Sequence, residues 1–180
     1  MIEIEIDGAK DLIKKLSKLG IGATKAMATT LNEAGRHAVS ESVKNTTKKY
    51  TFLQRDFKKN MKIDRATMGN TTYQMKLSTM PIPLSRFKAK DRRARGMGVS
   101  FKLLKQGGRG VLPKAFMATN SRGTHVLMRK TKDRYPLIPF ASITPTSAFL
   151  NTGSDSVFIE SFMRYFDKRY VTNLKHFSGR

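Results

Sequence analysis

The sequence predicts an α+β fold, with long N-terminal helices packed on a small, mainly antiparallel sheet, a protruding basic arm and a C-terminal helix. Three observations carry this. Apolar residues recur at helical spacing in long windows towards both ends. Short runs of period-two alternation fill the middle. A run dense in Lys, Arg and Gly interrupts that alternation. The expectation is one domain over 1–180, in three parts. These are an N-terminal strand and helices over 1–64, a basic sheet region over 65–150 with the arm at 78–98, and a C-terminal helix over 151–180.

In order, Ile2, Ile4 and Ile6 alternate with Glu3, Glu5 and Asp7, the period of a half-buried strand. Ala9 to Leu19 places Leu12, Ile13, Leu16 and Leu19 at helical spacing. After Gly20-Ile21-Gly22, a long helix runs from Ala23 to about Lys48. Ala23, Met27, Leu31, Ala34, Ala38 and Ser42 share one face, small enough for another element to approach its backbone closely. Thr51-Phe52-Leu53-Gln54 has the form of a capping box opening a short helix to about Met61.

Thr72 to Leu77 and Val99 to Leu104 alternate and read as two strands flanking the arm. Pro81, Pro83 and most of the arginine cluster lie between them. A connection of this length without structure is uncommon inside a compact domain. Further strands are expected at Lys114–Thr119, His125–Lys130 and Arg134–Ile138, with turns at Gly123 and Asp133. Pro136, Pro139 and Pro145 then make an extended connector. Ser156 to Phe177 closes as a helix about 33 Å long at about 1.5 Å per residue. Phe158, Phe162, Tyr165, Phe166, Tyr170 and Phe177 form an aromatic stripe on it, expected to meet either the chain's own sheet or a neighbouring subunit.

The 180 residues carry a net charge of +22, from 35 Lys+Arg against 13 Asp+Glu. Between Arg65 and Arg134 there are 17 basic residues and two acids, Asp91 and Asp133, a net +15. Arg86, Lys88, Lys90, Arg92, Arg93, Arg95, Lys102, Lys105 and Arg109 form the densest part and are the candidate contacts to DNA or to an acidic partner. Such contacts to phosphate would be largely independent of base sequence. The alternative to an assembly role is therefore a free, sequence-nonspecific nucleic-acid-binding protein.

The chain has no cysteine, which excludes disulfides, thiol catalysis and cysteine-ligated metals. His37, His125 and His176 are scattered without paired carboxylates, so no metal is expected. A ribonuclease-like site could use His125 as acid/base and Arg129 as a phosphate clamp, but no second base accompanies them. Gly107-Gly108-Arg109-Gly110 lacks the Lys-Ser/Thr ending of a phosphate-binding loop. The expectation is no enzyme and no cofactor. No run of apolar residues is long enough to cross a membrane, and the acidic, alternating start is unlike a secretory leader.

One segment is more specific. Gly110-Val111-Leu112-Pro113-Lys114-Ala115-Phe116-Met117-Ala118 is followed by Gly123-Thr124-His125-Val126-Leu127-Met128-Arg129, then Asp133-Arg134-Tyr135-Pro136-Leu137, then Ile143-Thr144-Pro145. This order resembles the minor tail protein Z family of long-tailed bacteriophages, with Ala115, Phe116, His125, Arg129, Arg134, Pro136 and Pro145 as its structural motif positions. The Ala-rich helix, the Arg65-Ala66 pair, Pro83-Leu84 and the basic insertion fit as well. The connector after Pro136 lacks a glycine found in many relatives, and the N-terminal strand has no match in the family pattern.

The resemblance implies a non-catalytic virion protein, assembled in the host cytoplasm, that completes the head-proximal end of the tail at the neck. It implies a homo-oligomeric ring, six-fold to match the tail, with the tail terminator, tape-measure or tail-tube proteins as partners and genomic DNA in the channel.

Overall fold

The computed structural model describes residues 2–5, 21–121 and 123–178. The helix expected over Ala9 to Leu19 lies outside the described residues. The chain divides into two compact units. The first is Met1–Lys44, Met61–Ser78 and Gly153–Arg180, and the second is Asn45–Asn60 and Thr79–Thr152.

The first unit holds a sheet in the order β1-β3-β2, all antiparallel, from β1 (Ile2–Glu5), β2 (Met61–Asp64) and β3 (Gln74–Leu77). It also holds residues 21–44 of helix α1 (Ile21–Lys49). The buried face of α1 is the one its spacing predicts, since Ala23, Met27, Leu31, Ala34, Ala38 and Ser42 are all buried.

Because that face is built from small side chains, other elements reach its backbone. A Cβ added at Gly35 would overlap the ring of Tyr73, which precedes β3 and is itself buried. Asn32 clamps the loop after β2 at Ala66, donating to its carbonyl (2.8 Å) and accepting from its amide (3.0 Å).

The long C-terminal helix runs antiparallel to α1. It is α4 (Ser154–Ser178), the fourth helix among the described residues. His37 stacks on Tyr165 with ring centroids 4.6 Å apart, and its Nδ1 lies 3.1 Å from the Ser161 hydroxyl. Asn173 donates to Thr30, and Arg169 faces Glu33 at 3.4 Å. Phe158 and Phe162 are each 1% exposed and complete this core, with Phe162 against Tyr73 at 6.3 Å. Full burial of such a ring contributes about 1.5–3 kcal/mol.

Tyr73 carries a cost within that core, because its buried hydroxyl has no hydrogen-bond partner among the described residues. Burial, which disfavours the phenolate, raises its pKa from 10.0 to about 12, against smaller opposing pulls from Arg65 and Arg36. Tyr73→Phe is expected to raise stability by about 1 kcal/mol, since it removes an unsatisfied buried group. The unfolded chain loses this proton near 10 and the folded chain near 12. The wild type therefore keeps this group's contribution below pH 10 and loses it as pH rises towards 12. Melting temperatures of the two proteins at neutral and strongly alkaline pH check both points. The gap should widen in alkali, and an equal loss in both proteins would count against this account.

The second unit opens with the last turn of α1 and the short helix α2 (Gln54–Lys58). The predicted capping box does not form. Leu53 takes the N-cap position without a side-chain bond, while the Thr51 hydroxyl donates to the Lys102 carbonyl. The helix is correspondingly short, and the tertiary partner has outcompeted the local one.

Two three-stranded antiparallel sheets follow. One is ordered β4-β5-β6, from Lys90–Asp91, Val99–Phe101 and Gly110–Leu112. The other is ordered β7-β8-β9, from Phe116–Asn120, Gly123–Arg129 and Leu137–Pro139. The two strands expected to flank the arm thus belong to different sheets, β3 in the first unit and β5 in the second.

The expected protruding arm, 78–98, is instead folded into the second unit. Ile82, Leu84 and Phe87 within it are buried. Ile82 exchanges backbone bonds with Ile143 and Ser142, and Leu84 donates to Phe140. Phe87 joins an aromatic cluster with Phe52, edge to face at 5.5 Å, and Phe52 continues to Phe57 at 5.7 Å and Tyr50 at 5.5 Å. Gly98, with φ +71, sits where a Cβ would overlap the Leu112 carbonyl, so β5 can meet β6 only with glycine there.

The expected connector also gains a helix, α3 (Pro145–Leu150). Pro145 occupies its first turn, where no amide bond is lost, and the Thr144 hydroxyl accepts from the Ser147 amide at 3.0 Å.

Candidate functional site

The densest basic stretch of the second unit is centred on β4 and the turn that follows it. Asp91, the lone acid of the densest basic stretch, organises this corner. Its carboxylate accepts from Arg93 Nε at 2.8 and 3.0 Å, from the Arg93 amide at 3.0 Å, and from the Met117 amide of β7 at 3.2 Å. These bonds, led by the Arg93 side chain, hold its pKa down at about 2. Arg93, fixed at one side by Asp91, lies over the Phe116 ring at 5.4 Å.

The nine candidate contact residues do not form one free surface. Arg86 faces the buried Asp56 carboxylate at 3.5 Å. Arg109 donates to the Lys88 carbonyl at 2.7 Å and to the Ser100 carbonyl at 3.2 Å, stapling the segment before β4 to β5. Arg92 and Lys102 are half-buried, and their amides bond to Gly98 and Phe87. Lys88, Lys90 and Lys105 are exposed. Arg95 lies in a single 3-10 turn, Arg93–Arg95, closed by Gly96. Arg86, Arg93 and Arg109 thus act first as internal ties.

The motif positions fall on one region. Ala115 is fully buried beside the turn into β7, and Phe116 pairs with Leu127 across the strands. His125 and Arg129 are four residues apart on β8 and on one face, about 13 Å along the strand at about 3.3 Å per residue. That separation does not place them on one phosphate. Arg134 lies over Tyr135, Pro136 accepts from the Lys130 amide at 3.2 Å, and Pro145 is buried in α3.

Beside Phe116 the structure forms a concavity of about 710 Å³ lined by Arg93, Lys114, Phe116, Arg129, Lys130, Thr131 and Lys132. Sequence reasoning did not single out Lys114, Lys130 or Lys132. The signal was present in Lys130-Thr131-Lys132 at the turn after β8, but only the fold brings it opposite Lys114 and Arg93.

A family model described as Prophage minor tail protein Z (GPZ) matches residues 6–175. The chain belongs to the minor tail protein Z family. No curated protein and no solved structure matches it. Minor tail protein Z is a structural component of the phage tail, so the chain is a virion protein whose partners include other tail components. Among the described residues no helix is long and apolar enough to cross a membrane, and no group of acidic or histidine side chains could hold a metal ion. The three histidines sit on three separate elements, His37 on α1, His125 on β8 and His176 on α4.

The aromatic stripe of α4 divides. Phe158 and Phe162 are core residues, whereas Tyr165, Phe166 and Tyr170 are partly exposed, next to Ile159 and Met163, each 50% exposed. Only this outer edge is open to a neighbour.

Proposed function

We propose that residues 1–180 act as one tail-completion domain, without catalysis, in a ring at the head-proximal end of the tail. The ring is six-fold, matching the tail, and adjoins the tail terminator, the tape-measure protein and the tail tube where genomic DNA passes. Family membership over residues 6–175 carries this reading. The outer edge of α4, with Tyr165, Phe166 and Tyr170, supports it as a subunit contact, and exposed Lys88, Lys90 and Lys105 support a contact to DNA or an acidic neighbour. Ring contacts of this kind are heterologous and close only at the right rotation per subunit.

Electron microscopy of particles assembled without the protein tests the reading. Filled heads with defective joining and low infectivity are expected. Normal joining with full infectivity overturns it. A salt titration on duplex DNA separates it from a free nucleic-acid binder, for which an isolated monomer would bind tightly with a log–log slope of about −4 to −7.

A further inference from the structure

We infer that the concavity beside Phe116 is a docking groove for an acidic, extended segment of another protein, read through its carboxylates. Five cations line it, Arg93, Lys114, Arg129, Lys130 and Lys132, together with Phe116 and Thr131. Among the described residues, only Arg93 of these five has a carboxylate within 4.0 Å, and that is Asp91. Asp133 accepts from Thr131 in the adjoining turn and lies outside the lining. Four like charges sharing one concavity without counter-charge repel one another, and an anionic occupant reverses that term.

Three features select a peptide carboxylate over nucleic acid. The corner at Arg93 and the Met117 amide already holds a carboxylate, that of Asp91, so the local donors suit this geometry. The Arg93 guanidinium lies over one face of Phe116, the groove's aromatic ring, so a stacking base would have to displace it from that face. The groove, about 710 Å³, is of the size that takes a small ligand or a few residues, and a duplex could touch only its rim.

Lys114 adds a structural cue. It has φ +63 in the turn closed by the Ala115 amide on the Leu112 carbonyl, a position suited to glycine. A lysine held there at a conformational cost fits a cation needed at that place.

The test uses the full chain and a fluorescein-labelled octapeptide of alternating Glu and Asp. Wild type is compared with a groove variant, Lys114→Gly, Arg129→Gln, Lys130→Gln and Lys132→Gln. A control variant removes the same charge elsewhere by Lys58→Gln, Lys59→Gln, Lys168→Gln and Lys175→Gln. The groove variant should lose about 10-fold or more in affinity and the control about 2-fold or less. Lys114→Gly alone should melt at or above the wild-type temperature, because glycine accepts the positive φ, while still weakening binding. Equal losses in the two variants would overturn the proposal. So would tighter, groove-dependent binding of a thymidine oligonucleotide of equal charge, which would assign the groove to phosphate. The outcome is independent of tail joining, so this proposal and the tail reading can fail separately.

Discussion

Phe87→Ala is expected to destabilise the second unit by about 3–5 kcal/mol, the range for emptying a buried aromatic site. The residue lies among Arg86, Lys88, Lys90, Arg92 and Arg93, where sequence alone reads a protruding arm. If that arm were free, removing its one phenyl ring would change nothing measurable. In the structure Phe87 is fully buried, edge-on to Phe52, and its carbonyl receives the Lys102 amide at 2.9 Å. Chemical denaturation followed by circular dichroism gives the free energy. Phe87→Leu, which keeps most of the volume, should lose much less. A loss below about 1 kcal/mol for Phe87→Ala, the scale of an ordinary surface change, would mean the basic segment is not packed as described.

The second large effect is expected at Gly35. Replacing an exposed helical glycine by alanine stabilises by about 1 kcal/mol, since alanine restricts the unfolded chain. At Gly35 the sign should reverse. A methyl group there overlaps the Tyr73 ring, which is buried and backed by Phe162, so it has no open direction in which to move. Overpacking of this kind costs about 1–3 kcal/mol, more than the propensity gain at the upper end. Gly35→Ala should therefore lower the denaturation midpoint, and Tyr73→Leu in the same chain should recover part of the loss. A stabilised Gly35→Ala protein would place Tyr73 elsewhere.

These two residues also show what the sequence carried and what it did not. The small-residue face of α1 and the stripe of α4 were legible because helical periodicity is local and both windows are long. The three strands between Phe116 and Pro139 are legible through their short period-two alternation, the first two to within two residues, while the third begins at Leu137, three residues after its expected start. The packing of the arm is not legible because charge density hides Ile82, Leu84 and Phe87, whose spacing follows no single period once a short 3-10 turn, Leu84–Arg86, intervenes. Thr51 was misread because its local partner lost to a carbonyl 51 residues away. Pairing of strands lies outside the reach of periodicity altogether. Alternation at β3 and at β5 looks alike, yet the chain assigns them to different sheets. The groove shares this character, since Lys114 and Lys132 come to line one concavity only through the β7–β8 pairing.

The order in which the first unit is assembled along the chain has a consequence for its synthesis. Its parts are residues 1–44, 61–78 and 153–180, so α1 emerges from the ribosome long before α4, which supplies Phe158 and Phe162. Domains commonly fold as units during translation. This one has to wait until nearly all of its sequence has been made. In the interval α1 presents a face made largely of Ala, Ser and Thr, which offers little apolar area to wrong partners. The composition that allows close packing in the finished protein thus also makes the nascent helix a poor nucleus for aggregation.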